Sequence, residues 1–245
     1  TQELLRLPAG YISFPFNTQN RQQIHWLKHP ALLTIATCSD GASTKEAYQI
    51  REIVEEGSEK DHHDPQKIKL LITGTIDPFK RLWGQKKCRY LGFQGFFPVI
   101  QSDIFKKQHP RRWQQAMTAK LVIAGLASKI EAVTAPPPFL CGKTTTQVIP
   151  QEGICPDALV CYLNSSVIFS FYKAIFAMRG FSPRSFLIGP RQIERLPIPS
   201  KEYFTQWNIK ENINSQKQLS YWGQHPDTID AKQVDTFILD LLSQN

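Results

Sequence analysis

The sequence predicts an α+β fold, and three observations carry that expectation. Short β-branched or aromatic runs are scattered through the first two-thirds of the chain. One long apolar stretch follows at Asp157–Met178, and the C-terminus ends in an amphipathic segment. The pattern is that of a mixed α+β domain with a helical tail.

Taken in order, the segment before Pro30 is mixed, with Tyr11, Phe14 and Phe16 beside Pro8 and Pro15. Leu32–Thr37 reads as a strand closed by the turn signal Ser39-Asp40-Gly41. Ser43-Thr44-Lys45-Glu46 has the form of a capping box. Ala47, Ile50, Ile53 and Val54 follow at helical spacing, and Gly57 marks the stop. A polar loop, Glu56–Gln66, leads into a strand at Ile68–Thr73, and Gly74–Pro78 reads as a turn. Further strands are expected at Phe97–Ile100, Leu121–Ala124 and Gln147–Ile149, with Pro136-Pro137-Pro138 as a stiff connection. Asp157–Met178 reads as one buried helix, ended by Gly180 and Pro183. Val234, Phe237, Ile238, Leu241 and Leu242 form one side of a peripheral helical tail.

The chain has 245 residues, enough for one large domain with a small appendage, and 41% are apolar, which excludes a disordered or collagen-like chain. Five cysteines, an odd number with no Cys-x-x-Cys spacing, argue against a disulfide framework or zinc ribbon and place the chain in a reducing cytoplasm. Thr1–Gly10 has no signal-peptide layout, and a first residue that is Thr points to an excised piece of a longer chain. The net charge of +8 is uneven. Residues 61–200 hold 19 basic and 8 acidic side chains, whereas residues 1–60 and 201–245 are each slightly acidic. A basic middle suits a polyanion; a merely solvated basic surface is the plainer alternative.

Four local signals promise chemistry and fall short of it. Gly142-Lys143-Thr144 is similar to the end of a P-loop, but Pro137 stands where the motif needs its first glycine; the run reads more simply as a phosphate-contacting loop or an exposed strand. His62-His63-Asp64 has metal-ligand residue types but no second cluster at ligand spacing. Ala158–Met178 approaches membrane-spanning length yet contains Asn164, Ser165, Ser166, Ser170 and Lys173, so a core helix is expected and no membrane partner. Ala135-Pro136-Pro137-Pro138-Phe139 is similar to the Asn-Pro-Pro-Tyr tract of amino-methyltransferases but lacks the Asn or Asp that accepts the amino hydrogen.

Several stretches together resemble one family. They are Gly41-Ala42-Ser43-Thr44 leading into Glu46-Ala47-Tyr48, then Ile72–Phe79 with Trp83-Gly84, Lys120–Gly125 with Lys129–Ala132, and Lys143-Thr144-Thr145. Leu163–Tyr172, Arg191-Gln192-Ile193, Leu196–Pro199 and Val234–Ile238 complete the series. In this order they resemble the TaqI-like C-terminal specificity domain, the target-recognition domain of adenine-specific DNA methyltransferases and of fused restriction–modification enzymes. The resemblance implies a target-recognition domain over residues 1–200 and a C-terminal helical segment over 201–245. It implies double-stranded DNA as partner, together with an N-terminal methyltransferase domain or subunit. S-adenosylmethionine would bind that absent catalytic part, and no cofactor is expected in this chain. The parent enzyme would be a site-specific adenine methyltransferase, with or without an endonuclease.

The residues carry a compatible reading of their own. Lys80, Arg81, Lys86, Lys87 and Arg89 surround Trp83, and Lys106, Lys107, Arg111 and Arg112 precede Trp113. With Lys143 and Thr144, these are the candidate DNA contacts, expected on loops that grip phosphates, with Arg81 and Arg112 as candidates for a guanine edge. The two tryptophans are expected to be core anchors. No catalytic triad or metal site can be assembled, so catalysis by this chain alone is not expected. The rival reading is an assembly module whose basic face binds an acidic partner.

Overall fold

The computed structural model describes residues 26–176, 180–182, 185–206 and 213–243. The aromatic opening segment, Met178 at the end of the expected helix, and Pro183 lie outside them. The fold is α+β, with two four-stranded sheets stacked between helices. In the first, Thr145–Pro150 is flanked by Ala36–Asp40 and Lys120–Ala124, and Ala132–Ala135 pairs with the latter, all antiparallel. In the second, Lys67–Leu71 lies between Phe139–Cys141, which is parallel to it, and Pro98–Gln101, with Glu55–Glu56 at the edge.

Strand alternation sorts the core into layers. In Lys120–Ala124, fully buried throughout, Leu121 and Ile123 pack with Leu159, Leu163, Ile168 and Phe171 of the helical layer. Their neighbours Val122 and Ala124 meet Leu71, Val99 and Cys141 of the other sheet. The second sheet repeats the pattern: Ile68, Leu70 and Ile100 face Ile50 and Phe105 on its far side. Val234, Ile238 and Leu242 of the tail helix, Ala231–Ser243, join the same core as Leu159, so the amphipathic stripe read in the sequence is an inward face. All five cysteines are free thiols.

The capping box forms as expected. Ser43 caps Thr44–Glu52, and Glu46 Oε2 accepts the Ser43 amide at 2.8 Å. Elsewhere local chemistry shifts the boundaries. Leu32–Thr34 is a 3-10 turn rather than strand, because the Thr34 amide and hydroxyl both turn back on the Ala31 carbonyl, at 2.9 and 2.7 Å. The strand instead runs Ala36–Asp40, and the expected turn begins only at Gly41, which approaches the Gly142 carbonyl so closely that a Cβ would lie 2.2 Å from it. The polar loop contains a 3-10 helix at Glu59–His62. The Gly74–Pro78 tract is a 3-10 turn, Thr73–Thr75, followed by a hairpin of Ile76–Asp77 with Lys80–Arg81.

The single helix expected over Asp157–Met178 is two, Pro156–Leu163 and Ser166–Phe176, bent by 64°. Asn164 is the cause. Its Oδ1 accepts the Ala132 amide at 2.8 Å and its Nδ2 donates to the Ala132 carbonyl at 2.9 Å, so the side chain takes the place of a neighbouring strand. Asp235 of the tail then caps the second helix by accepting the Ser166 amide at 2.9 Å. Among the described residues no single helix is long and apolar enough to cross a membrane.

The segment around Lys106–Arg112, expected as loop, is two short helices, Ser102–Gln108 and Pro110–Ala116, the second opened by Pro110 at its first position. Lys120, fully buried, donates through Nζ to the Gln115 and Thr118 carbonyls at 2.6 and 2.8 Å and so closes that helix's C-terminus. Burial pulls its ammonium down to about 8.

Candidate nucleic-acid interface

Four cations converge on one cleft. It is about 630 Å³ in volume and is walled by Lys86, Lys87, Arg89 and Lys143, with Thr73, Thr144 and Leu126 among the remaining lining residues. Among the described residues no acidic side chain lines it. The wall from Lys86 to Leu91 is a loop entering the hairpin Cys88–Tyr90 with Phe93–Gly95, in which Cys88 and Tyr90 are buried while Arg89 points outward. Period-two alternation therefore projects Arg89 from a strand whose neighbours anchor it in the core.

Opposite, the Gly142–Thr145 connection is pinned in an unusual shape. Thr144 sits at φ 63°, in the left-handed region that a β-branched residue rarely enters. Its carbonyl accepts the Thr73 hydroxyl and the Gly125 amide, the latter at 2.9 Å. A Cβ on Gly125 would lie 2.5 Å from the Thr144 carbonyl oxygen, so only glycine permits this approach. Leu91, at φ 47°, also lines the cleft. Leu91 and Gly92, at φ 91°, form the two-residue turn joining Tyr90 to Phe93, in which both central residues take positive φ.

Tyr90 lies against the cleft and is 4% exposed. Burial pushes its phenol up to about 12, partly offset by the nearby Lys143 amide, yet the hydroxyl completes no hydrogen bond. A smaller recess of about 390 Å³ adjoins through Thr144 and is lined by Asp40, Thr146, Leu187 and Arg191 among others. Leu126 and Leu187, both exposed and directly paired in a small sheet, stand between the two.

The candidate cations of the sequence thus part company. Lys86, Lys87, Arg89, Lys143 and Thr144 come together, although 54 positions separate Arg89 from Lys143. Lys80 is exposed on the short hairpin, and Arg81 turns away to donate to the Thr134 carbonyl at 2.6 Å. Lys107 and Arg111 are exposed on their helices, and Lys106 lies over the Trp113 ring, 4.5 Å from its centroid. Arg112 is held by Glu46 at 2.7 Å. Trp83 is buried, its Nε1 donating to the Pro98 carbonyl at 3.0 Å, and Trp113 donates to Ser102 Oγ at 2.9 Å; both are anchors. Tyr90 and Arg191 were not among the sequence candidates; only Tyr90's position next to Arg89 pointed to its place beside the cleft. Among the described residues no three His, Cys, Asp or Glu side chains group as metal ligands, and His62 and His63 contact each other at 3.3 Å.

Two solved structures are similar to this chain at low identity. The chain is similar to the type IIG restriction endonuclease BpuSI, with a TM-score of 0.46 and 10% identity over 92% of this chain and 33% of that one. It is also similar to the type IIL restriction-modification enzyme MmeI in complex with DNA, with a TM-score of 0.40 and 10% identity over 88% of this chain and 34% of that one. The chain spans about a third of the length of these two structures. No protein-family model and no curated protein sequence matches it.

Proposed function

We propose that the chain is a duplex-DNA-binding target-recognition module of a restriction–modification adenine methyltransferase, with the catalytic domain and its S-adenosylmethionine site outside these residues. The observation that carries this reading is the cleft in which Lys86, Lys87, Arg89 and Lys143 meet with no Asp or Glu among the described residues that line it. Four cations held in a concave site by two rigid hairpin and turn anchors suit a polyanion whose phosphates are regularly spaced. The sequence resemblance to target-recognition domains supplies the adenine-methyltransferase part.

In this reading the cleft cations hold phosphates and fix the register of the duplex. The recess beside Asp40 and Arg191 follows along the same surface, with Leu126 and Leu187 between. Arg and Lys contacts of this kind set affinity, and base discrimination belongs to fewer groups. The test is fluorescence anisotropy with labelled duplexes over a range of salt. The reading predicts binding that weakens steeply as salt rises. Binding to an acidic protein but to no duplex would favour the assembly module instead.

A further inference from the structure

A second hollow, of about 650 Å³, lies on the other side of the Gln85–Lys86 peptide: Gln85 lines it, Lys86 lines the basic cleft, and the two share no lining residue. Its walls are aromatic. Trp83 is locked by its hydrogen bond to Pro98 and meets Phe97 edge-to-face with centroids 5.1 Å apart. Phe139 is buried at the wall, and Phe79 completes it. Phe79 holds φ 64°, another left-handed non-glycine residue, with its amide pinned to the Ala132 carbonyl at 3.1 Å.

The polar part of the lining is one fixed cation and a pair of imidazoles. The Arg81 guanidinium lies over the Phe139 ring, 5.5 Å from its centroid, and spends Nη1 on the Thr134 carbonyl. No carboxylate lies within ion-pair distance of it among the described residues, and Glu59 is the one acid lining the hollow. His62 and His63 stack edge-to-face at 4.5 Å, and His62 lies 5.9 Å from Trp83. A half-buried cation oriented in advance, with Asp157 acting on it electrostatically but not in ion-pair contact, beside the rings of Phe79 and Phe97 suits a planar ring that carries an anionic group.

We propose that this hollow binds a nucleotide, its base against the part-exposed rings of Phe79 and Phe97 and its phosphate on Arg81. Two sources offer that chemistry: a free mononucleotide, or a nucleotide turned out of a duplex lying in the neighbouring cleft, one peptide away. The second source rests on the function proposed above; the first does not.

The test has two arms on the same protein. In the first, adenosine 5′-monophosphate is titrated against tryptophan fluorescence, with inorganic phosphate as the control. In the second, a duplex carrying 2-aminopurine opposite a mismatch is added, and its fluorescence reports unstacking. Saturable quenching by the mononucleotide, or a 2-aminopurine rise on binding, supports the site, and each result names its source. Arg81→Gln should weaken that response at least about tenfold, since a hydrogen bond to a charged group is lost, while Arg81→Lys should recover part of it. No response from either probe with the wild-type protein, under conditions where duplex binding is measured by anisotropy, overturns this inference and leaves the DNA-binding reading standing. Mononucleotide binding without any duplex binding sinks the DNA-binding reading and keeps this one.

Discussion

Arg112 closes a two-point fork on Glu46, with Nε 3.0 Å from Oε1 and Nη2 2.7 Å from Oε2. Its Nη1 reaches the Gln115 side chain at 2.8 Å and the Asp40 carbonyl at 3.2 Å. One side chain thus ties the helix Pro110–Ala116 to the capping box of Thr44–Glu52 and to the end of a sheet strand. Such bidentate, partly buried pairs carry far more than exposed ones.

The first prediction is that Arg112 supports the fold rather than reading a base. Hydrogen bonding from Arg112, with help from Ser43, holds the Glu46 carboxyl down at about 2. A carboxylate whose folded value is depressed contributes stability above its unfolded value of about 4.3, and that contribution is lost as pH falls through 2. Glu46→Gln should therefore cost about 1–2 kcal/mol at pH 7, allowing for partial exposure, and almost nothing near pH 2. Urea denaturation across pH measures this; an equal cost at both pH values would contradict it.

Tyr90 should matter more to binding than to stability. Its buried hydroxyl completes no hydrogen bond among the described residues and has only the Lys143 amide nearby, so Tyr90→Phe should leave the protein about as stable, within about 1 kcal/mol. If that hydroxyl is retained for a phosphate in the cleft, the same change weakens duplex binding severalfold without altering its salt dependence, since no charge is lost. A variant that is clearly less stable and binds DNA normally would show that the phenol serves packing alone.

Asn164 should be the residue that keeps the two central helices apart. Asn164→Ala leaves the Ala132 amide without its acceptor, while the Ala132 carbonyl keeps only the Phe79 amide at 3.1 Å, which should cost about 1–3 kcal/mol. Hydrogen exchange should localise the loss to the Ala132 amide. Unchanged protection there would mean that the sheet edge finds another partner.

Gly125→Ala should disturb the cleft from behind. A Cβ would lie 2.5 Å from the Thr144 carbonyl oxygen, so the Lys143–Thr144 turn must move. The expected cost is about 1–3 kcal/mol, together with weaker duplex binding. A thermal melt and anisotropy on the one variant check both halves.

The sequence read most clearly where a local rule governs. The capping box at Ser43–Glu46 and the amphipathic stripe from Val234 to Leu242 both depend on spacing within one element, and both stand in the structure. The break at Asn164 was invisible because its cause is Ala132, 32 positions away. The helices around Lys106–Arg112 were hidden by their brevity and by His109-Pro110 between them, which reads as a loop signal. Among the cations, composition showed that the middle of the chain was basic. It did not show that Arg112 is held by Glu46, 66 positions earlier, or that Lys143 crosses the chain to join Lys86, Lys87 and Arg89. Those are tertiary facts, set by which strands pair.

The cleft walled by Lys86, Lys87, Arg89 and Lys143 is proposed to hold DNA phosphates. The most direct measurement compares the slope of log affinity against log salt for the parent and for a Lys86→Ala, Lys87→Ala, Arg89→Ala triple variant, on duplexes of unrelated sequence. Each phosphate contact contributes about 0.9 to that slope. The account predicts a slope shallower by about 2–3 and weaker binding to every duplex, while Lys106→Ala with Lys107→Ala changes it less. A triple variant that binds with the parent's affinity and slope would contradict the account.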